Sequence, residues 1–450
     1  MVLLPVLLFI GSVKFWLDKK FDWMLIFLTA FLTQGYGFIP ESVFIIKPYD
    51  YVYAFLVIAS VTGYMQDKHF FKVKRTPFVY LIYLLLLYQS YEILRTLVTG
   101  TDSLTNVIKV CRLNLVYLSF FVLRKIPFLA FHRYVHLNLY FCILQGVIFY
   151  LQPLLGTSLL QGRIDEATSA GQITRFANYP FFASFYLFYN FFHEKELVWK
   201  AIHLCFWGGM LLFGQSRGEI LVVFFTFACY FILQNKLKYY LSFLIAAVVI
   251  SFVVVPMFKY RDIEGSNSSF SEDITYILQS EDLTEIKNEA GNFTFRIAML
   301  MERWNYLTEY PEYMMTGVGC IHEDSPTSHD RFSFLIGTKN EERLHGYCQI
   351  ESGDITWVPI LLRYGIIGVC IYSLFLFYWL IIGLRYLKLS KNAIYITTSL
   401  MGITTSLLSF NTILFDACLQ TFFLIFCISY ILKYYRRIQM IKILKIIRHQ

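Results

Sequence analysis

Runs of about twenty apolar residues restrict this chain more than any motif in it. A stretch such as ILVVFFTFACYFIL (220–233) is apolar on every face, which leaves no side of a helix for water. About 20 such residues in a helix match the ~30 Å hydrocarbon core of a bilayer. Composition agrees: hydrophobic residues fill 57% of 450 positions and charged residues 16%, against about 45–50% and about 25% in soluble domains. Backbone in lipid must satisfy its own hydrogen bonds, and the alternation of a barrel strand is absent, so the spans are expected to be helices. The sequence predicts an all-α polytopic membrane protein with about 12–13 transmembrane helices. They fall near 1–17, 22–40, 50–66, 77–98, 104–122, 132–152, 179–193, 197–214, 219–234, 239–257, 355–384, 393–411 and 413–432. The first run lacks a basic leader and a small-residue cleavage site, so it reads as a membrane helix rather than a signal peptide.

The breaks between runs alternate in charge. Basic residues at 14–20, 68–75, 124–133, 195–200, 236–238, 385–391 and 433–450 account for 23 of the 39 Lys and Arg, all in short connections on one side. Short Lys/Arg-rich loops are cytoplasmic, which predicts an outer N-terminus and a cytoplasmic C-terminus. The division expected is a bundle over 1–257, a large outer loop over 258–353, further spans over 354–432 and a basic tail over 433–450. The tail reads as an interfacial segment on anionic lipid. The basic charge lies in these loops and gives no nucleic-acid signal.

Two outer loops stand out, 153–178 and 258–353. The second holds 17 Asp and Glu against eight Lys and Arg, a net charge of −9 in a chain of net +8. A connection this long is normally functional or a small domain. Its later part, FTFRIAMLMERWNYLTEYPEYMMTGVGC (293–320), reads as an amphipathic helix stopped by Pro311 and followed by a Gly turn. The nine cysteines show no CxxC spacing; Cys320 and Cys348 share the large loop and could pair there.

Several cations sit where lipid would not favour them. Lys109 and Arg112 lie inside NVIKVCRLNLVYLSFFVL (106–123), and Arg363 lies inside PILLRYGIIG (359–368). Arg217 occupies GQSRGEI (214–220) between two apolar runs. Such residues usually face a cavity and a partner, although Lys109 and Arg112 could snorkel, Arg363 could cap a helix, and Glu92 and Arg95 could pair with each other. The outer breaks favour arginine over lysine, and the guanidinium fork suits phosphate. Arg217 is the hardest of these to dismiss and the first candidate for such a phosphate, with Glu219 as its local partner. Arg296 or Arg303 would be its partner, seven residues apart on one helix face. Arg163, Arg175, Lys109 and Arg112 are further candidates for the phosphates.

The stretches RFANYPFFASF (175–185), SRGE (216–219), FRIAMLMERW (295–304), YPEYMMTGVGC (310–320), LHGY (344–347) and YGIIG (364–368), in this order and on one face, resemble the O-antigen polymerase and O-antigen ligase superfamily of bacterial membrane glycosyltransferases. Ligases of that group carry His-Asn where this chain has His345–Gly346, which favours a polymerase. The resemblance implies a C-type glycosyltransferase-like fold in the bacterial inner membrane, with the large loop in the periplasm. It implies polymerisation of polyprenyl-pyrophosphate-linked oligosaccharide repeat units for O-antigen, capsule or exopolysaccharide. The partners implied are the lipid-linked donor and acceptor, membrane lipid, a chain-length regulator and a flippase. Transfer of finished glycan to lipid A core or protein, and lipid-linked oligosaccharide transport, are the alternatives.

On that reading the chain must stabilise charge on a departing pyrophosphate and accept a proton from an acceptor hydroxyl. Arg217 takes the first task. His345 is the expected base, with Asp354 and Glu351 in reserve. The acidic residues of 272–289 form no ligand pattern, so neither metal nor cofactor is expected.

Overall fold

The computed structural model describes residues 3–72, 77–161, 164–165, 175–176, 178–214, 217–234, 241, 292–334, 336, 350, 355–389, 393–408 and 414–448. In chain order the helices are α1 (Leu3–Leu17), α2 (Phe21–Leu32), α3 (Pro48–Gln66), α4 (Pro77–Val98) and α5 (Leu104–Cys111). A 3-10 stretch (Arg112–Leu118) continues α5 into α6 (Ser119–Lys125), followed by α7 (Phe128–Leu155), α8 (Ala183–His193), α9 (Leu197–Phe213) and α10 (Arg217–Leu233). After 291 come α11 (Asn292–Glu309), α12 (Pro311–Met314), α13 (Pro326–Arg331), α14 (Trp357–Tyr386), α15 (Ile394–Leu408) and α16 (Leu414–Arg448). One two-residue pair, Ile164↔Phe176 and Asp165↔Arg175, joins β1 (Ile164–Asp165) to β2 (Arg175–Phe176).

Twelve of the thirteen expected spans carry helix; the one near 239–257 lies, but for Leu241, outside the described residues. Among the described residues, five helical stretches are long and apolar enough to cross a membrane: Pro77–Val98, Leu104–Lys125, Phe128–Leu155, Trp357–Tyr386 and Cys418–Ile441. Ends differ where turn residues intervene. The run expected to reach 40 stops at Leu32, because Gln34, Gly35, Tyr36 and Gly37 all take positive φ. No break separates the last span from the basic tail: α16 runs unbroken to Arg448.

Helix α4 shows why these helices form a membrane bundle. Tyr80, Leu84, Leu87, Tyr91, Leu94 and Val98 are exposed, and their spacing of three or four residues makes a continuous stripe. Phe78, Ile82, Leu85, Gln89, Glu92 and Thr96 repeat at the same period on the buried face. Both faces carry apolar residues, but the outward stripe is apolar or aromatic while Gln89, Glu92 and Thr96 turn inward, an arrangement that suits hydrocarbon and not water. Helix α16 is the more central element: 72% of its apolar window is buried, against 33% for α4.

Polar contacts between connections keep the two ends of the bundle distinct. At one end Lys125 Nζ meets Asp67 at 2.6 Å, Arg124 donates to the Phe70 and Lys72 carbonyls, and Gln234 donates to the Leu387 carbonyl. At the other end the Gln161 amide donates to the Gly37 carbonyl, and the His322 amide donates to Asp102 at 2.9 Å. These pairings join breaks that the charge pattern puts on the same face.

Candidate functional site

The site grows from a break in α14. Gly365 inside this helix has φ 59° and ψ −162°, a conformation L-residues with side chains avoid. The break leaves main-chain groups without helical partners, which is tolerated at membrane depth only where protein covers them. The turn at Met315–Ile321 supplies that cover. Val318 and Gly319 amides donate to the Leu362 and Arg363 carbonyls at 2.9 and 3.0 Å, and the Ile367 amide donates to the Met315 carbonyl at 3.1 Å.

Two glycines permit this approach. A Cβ on Gly317 would lie 2.4 Å from the Arg363 carbonyl, and one on Gly365 would lie 2.5 Å from the Gly317 nitrogen. Gly317 also has φ 69°. Thus TGVGC and LLRYGIIG, two stretches picked out separately in the sequence, are hydrogen-bonded to each other.

Side chains of α4 fasten the turn from the other side. Arg95 Nη2 donates to the Thr316 and Gly317 carbonyls at 3.0 and 2.9 Å, while its Nε donates to Glu92 at 2.9 Å. Glu92 is fully buried, so the pair expected from the sequence exists and also grips the outer segment. The Cys320 amide donates to Thr96 Oγ1 at 2.9 Å. Arg363, 3% exposed, donates from Nε to the Ile321 carbonyl at 3.1 Å.

Beneath the turn lies a cavity of about 110 Å³, lined among others by Asn114, Thr356, Trp357, Arg363, Tyr364 and Tyr372. A polar chain runs along its wall. Gln89 donates to the Tyr372 hydroxyl at 3.0 Å, that hydroxyl donates to Asn114 Oδ1 at 3.2 Å, and Asn114 Nδ2 reaches the Tyr364 hydroxyl at 3.4 Å. The Tyr88 hydroxyl donates to the Tyr364 carbonyl at 2.7 Å, beside the break.

The other expected residues are placed as follows. Arg217 is the first residue of α10; its side chain lies outside the described residues, as do Gln215 and Ser216. Glu219 lines a cavity of about 50 Å³ shared with Ser184, Ser399 and Gln420. Arg175 belongs to β2, again without a described side chain, and Arg163, His345, Glu351 and Asp354 lie outside the described residues. Lys109 is exposed. Arg112 pairs with Asp50 at 2.9 Å and lies over the Tyr49 ring.

Arg296 and Arg303 share α11 as expected, in different surroundings. Arg296 is half-buried. Arg303 is fully buried; it pairs with Glu302, donates to the Ile336 carbonyl at 2.8 Å and stacks 3.9 Å from the Phe334 ring centroid. Burial pushes its guanidinium down to about 10, against the opposing pull of Glu302 and Glu323. Arg303 therefore fastens the outer segment onto itself, as Arg95 and Arg363 fasten it onto the bundle.

Gln89, Thr96, Asp102 and Asn114 were not singled out from sequence. A signal existed for two of them: Gln89, Glu92 and Thr96 repeat at helical period within an apolar run, which marks an inward face. Among the described residues no group of three or more His, Cys, Asp or Glu could hold a metal ion. No family model matches the chain, and no curated protein matches it.

Proposed function

We propose that the chain is a membrane glycosyltransferase that polymerises polyprenyl-pyrophosphate-linked oligosaccharide repeat units at the outer face of the bacterial inner membrane. The observation that carries the reading is the union of the TGVGC turn with the broken helix at LLRYGIIG. Both stretches belong to the resemblance, and their contact gathers Arg95, Arg363, Asn114 and Tyr364 at one end of the bundle. That is also the end where the charge pattern puts Arg217 and the first outer loop.

In this mechanism the departing pyrophosphate gathers negative charge as the glycosidic carbon is attacked. Arg217 and Arg296 supply guanidinium forks to it, with Arg175 of the first outer loop as a further phosphate ligand. Arg303 holds α11, so Arg296 is presented from a fixed helix. His345 accepts the acceptor hydroxyl's proton, with Glu351 and Asp354 beside it in sequence. The bond from sugar to pyrophosphate breaks as the new glycosidic bond forms, and polyprenyl pyrophosphate leaves with the electron pair.

The test is Arg217→Ala and His345→Ala in cells, with membrane insertion checked by immunoblot. Loss of polymer with accumulation of the lipid-linked single repeat is expected for each. Polymer at near wild-type level removes the role assigned to that residue.

A further inference from the structure

The docked turn carries a second chemistry. Cys320 is fully buried in a small cluster with Val107, Val110, Ile360 and Tyr364, and Cys111 of α5 packs against that cluster. The two thiols are neighbours at this packing contact. Both are reduced in this structure, and Cys111 remains partly accessible. The sequence suggested Cys348 as the companion of Cys320; Cys348 lies outside the described residues, and the neighbour seen is Cys111. The flanking residues fix this meeting: the Cys320 amide is held by Thr96 and the His322 amide by Asp102.

We infer that Cys111 and Cys320 form a disulfide that ties the large outer segment to the membrane bundle once the chain reaches an oxidising compartment. The inference rests on the outward placement of the turn, because disulfides persist outside the cytoplasm and rarely within it. The oxidant is the disulfide of an extracytoplasmic thiol oxidase. The Cys320 thiolate attacks one sulfur of that disulfide, forming a mixed disulfide and releasing one oxidant thiol. The Cys111 thiolate then attacks the Cys320 sulfur and displaces the second oxidant thiolate. Two thiols of this chain are oxidised, one oxidant disulfide is reduced to a dithiol, and the two protons end on that dithiol. Exchange precedes docking, since a docked Cys320 has no exposed sulfur to attack with. A bond here closes a loop of some two hundred residues, and long loops gain most from closure. It would replace a thiol contact with a covalent tie at the point where Arg95 and Thr96 already grip the turn.

The experiment uses the full chain in membranes from aerobically grown cells. Samples are acid-quenched, blocked with N-ethylmaleimide in denaturant, digested and read by mass spectrometry with and without reductant. The expected result is one linked pair of peptides containing Cys111 and Cys320 in most molecules, lost on reduction, with Cys320 becoming maleimide-reactive in Cys111→Ser. Maleimide on both cysteines of the wild-type chain, or a link from Cys320 to Cys348, overturns the inference. The readout needs no activity: polymerisation without the link overturns this inference alone, and the link without polymerisation overturns the proposed function alone.

Discussion

At the scale of single residues the account turns on Gly317, Gly365, Glu92 and Arg95. Both glycines combine positive φ with backbone contact where a Cβ would stand. Left-handed backbone costs about 1–2 kcal/mol for a residue with a side chain, and the clash with main chain adds to it. Gly317→Ala should therefore release the turn, seen as new protease cleavage within 310–325 in vesicles exposing that face; unchanged resistance would contradict the docking. Glu92 is fully buried beside Arg95, which is 21% exposed. Removing one partner of a buried pair costs about 3–5 kcal/mol. Glu92→Ala should accordingly lower the thermal midpoint in detergent markedly, while Glu309→Ala in the exposed outer helix end should leave it nearly unchanged.

At the scale of elements, α4 offers the sharpest contrast. A charge at Leu87 faces hydrocarbon and costs about 2.5–3.5 kcal/mol by insertion scales. Leu87→Lys should reduce the inserted fraction, whereas Val98→Lys, at the exposed end of the same stripe, should be better tolerated by snorkelling; equal insertion of both would contradict the depth given to the stripe. The helices themselves were legible because apolar length is a local property: α4, α7, α9 and α14 begin or end within a few residues of their expected runs. The turn at Gln34–Gly37 and the unbroken α16 were not, since backbone handedness and helix continuation across a basic stretch leave hydropathy almost unchanged. The role of Arg95 was half legible. Its pairing with Glu92 follows from a three-residue spacing, but its grip on Thr316 and Gly317 depends on a contact between residues more than two hundred positions apart. The same holds for Cys111 and Cys320. Of the residues expected to carry chemistry, the sequence placed Arg296 and Arg303 on one helix; only packing distinguishes the half-buried one from the enclosed one.

At the scale of the whole molecule, the claim is that a charged, hydrogen-bonded site sits at one end of the bundle and works on a lipid-linked glycan there. Sidedness is tested by single-cysteine labelling in a cysteine-free background. Positions 196 and 388 should react with an impermeant maleimide only after permeabilisation, and positions 161 and 324 without it; the reverse pattern would invert the topology. The central claim is tested most directly by turnover. Lipid-linked repeat units extracted from cells lacking this chain are supplied to the purified full-length protein in liposomes, with no other glycan acceptor. The account predicts a ladder of lipid-linked oligomers with release of polyprenyl pyrophosphate, abolished by Arg217→Ala. Unextended repeat units, with wild-type protein shown to be folded and inserted, would contradict it.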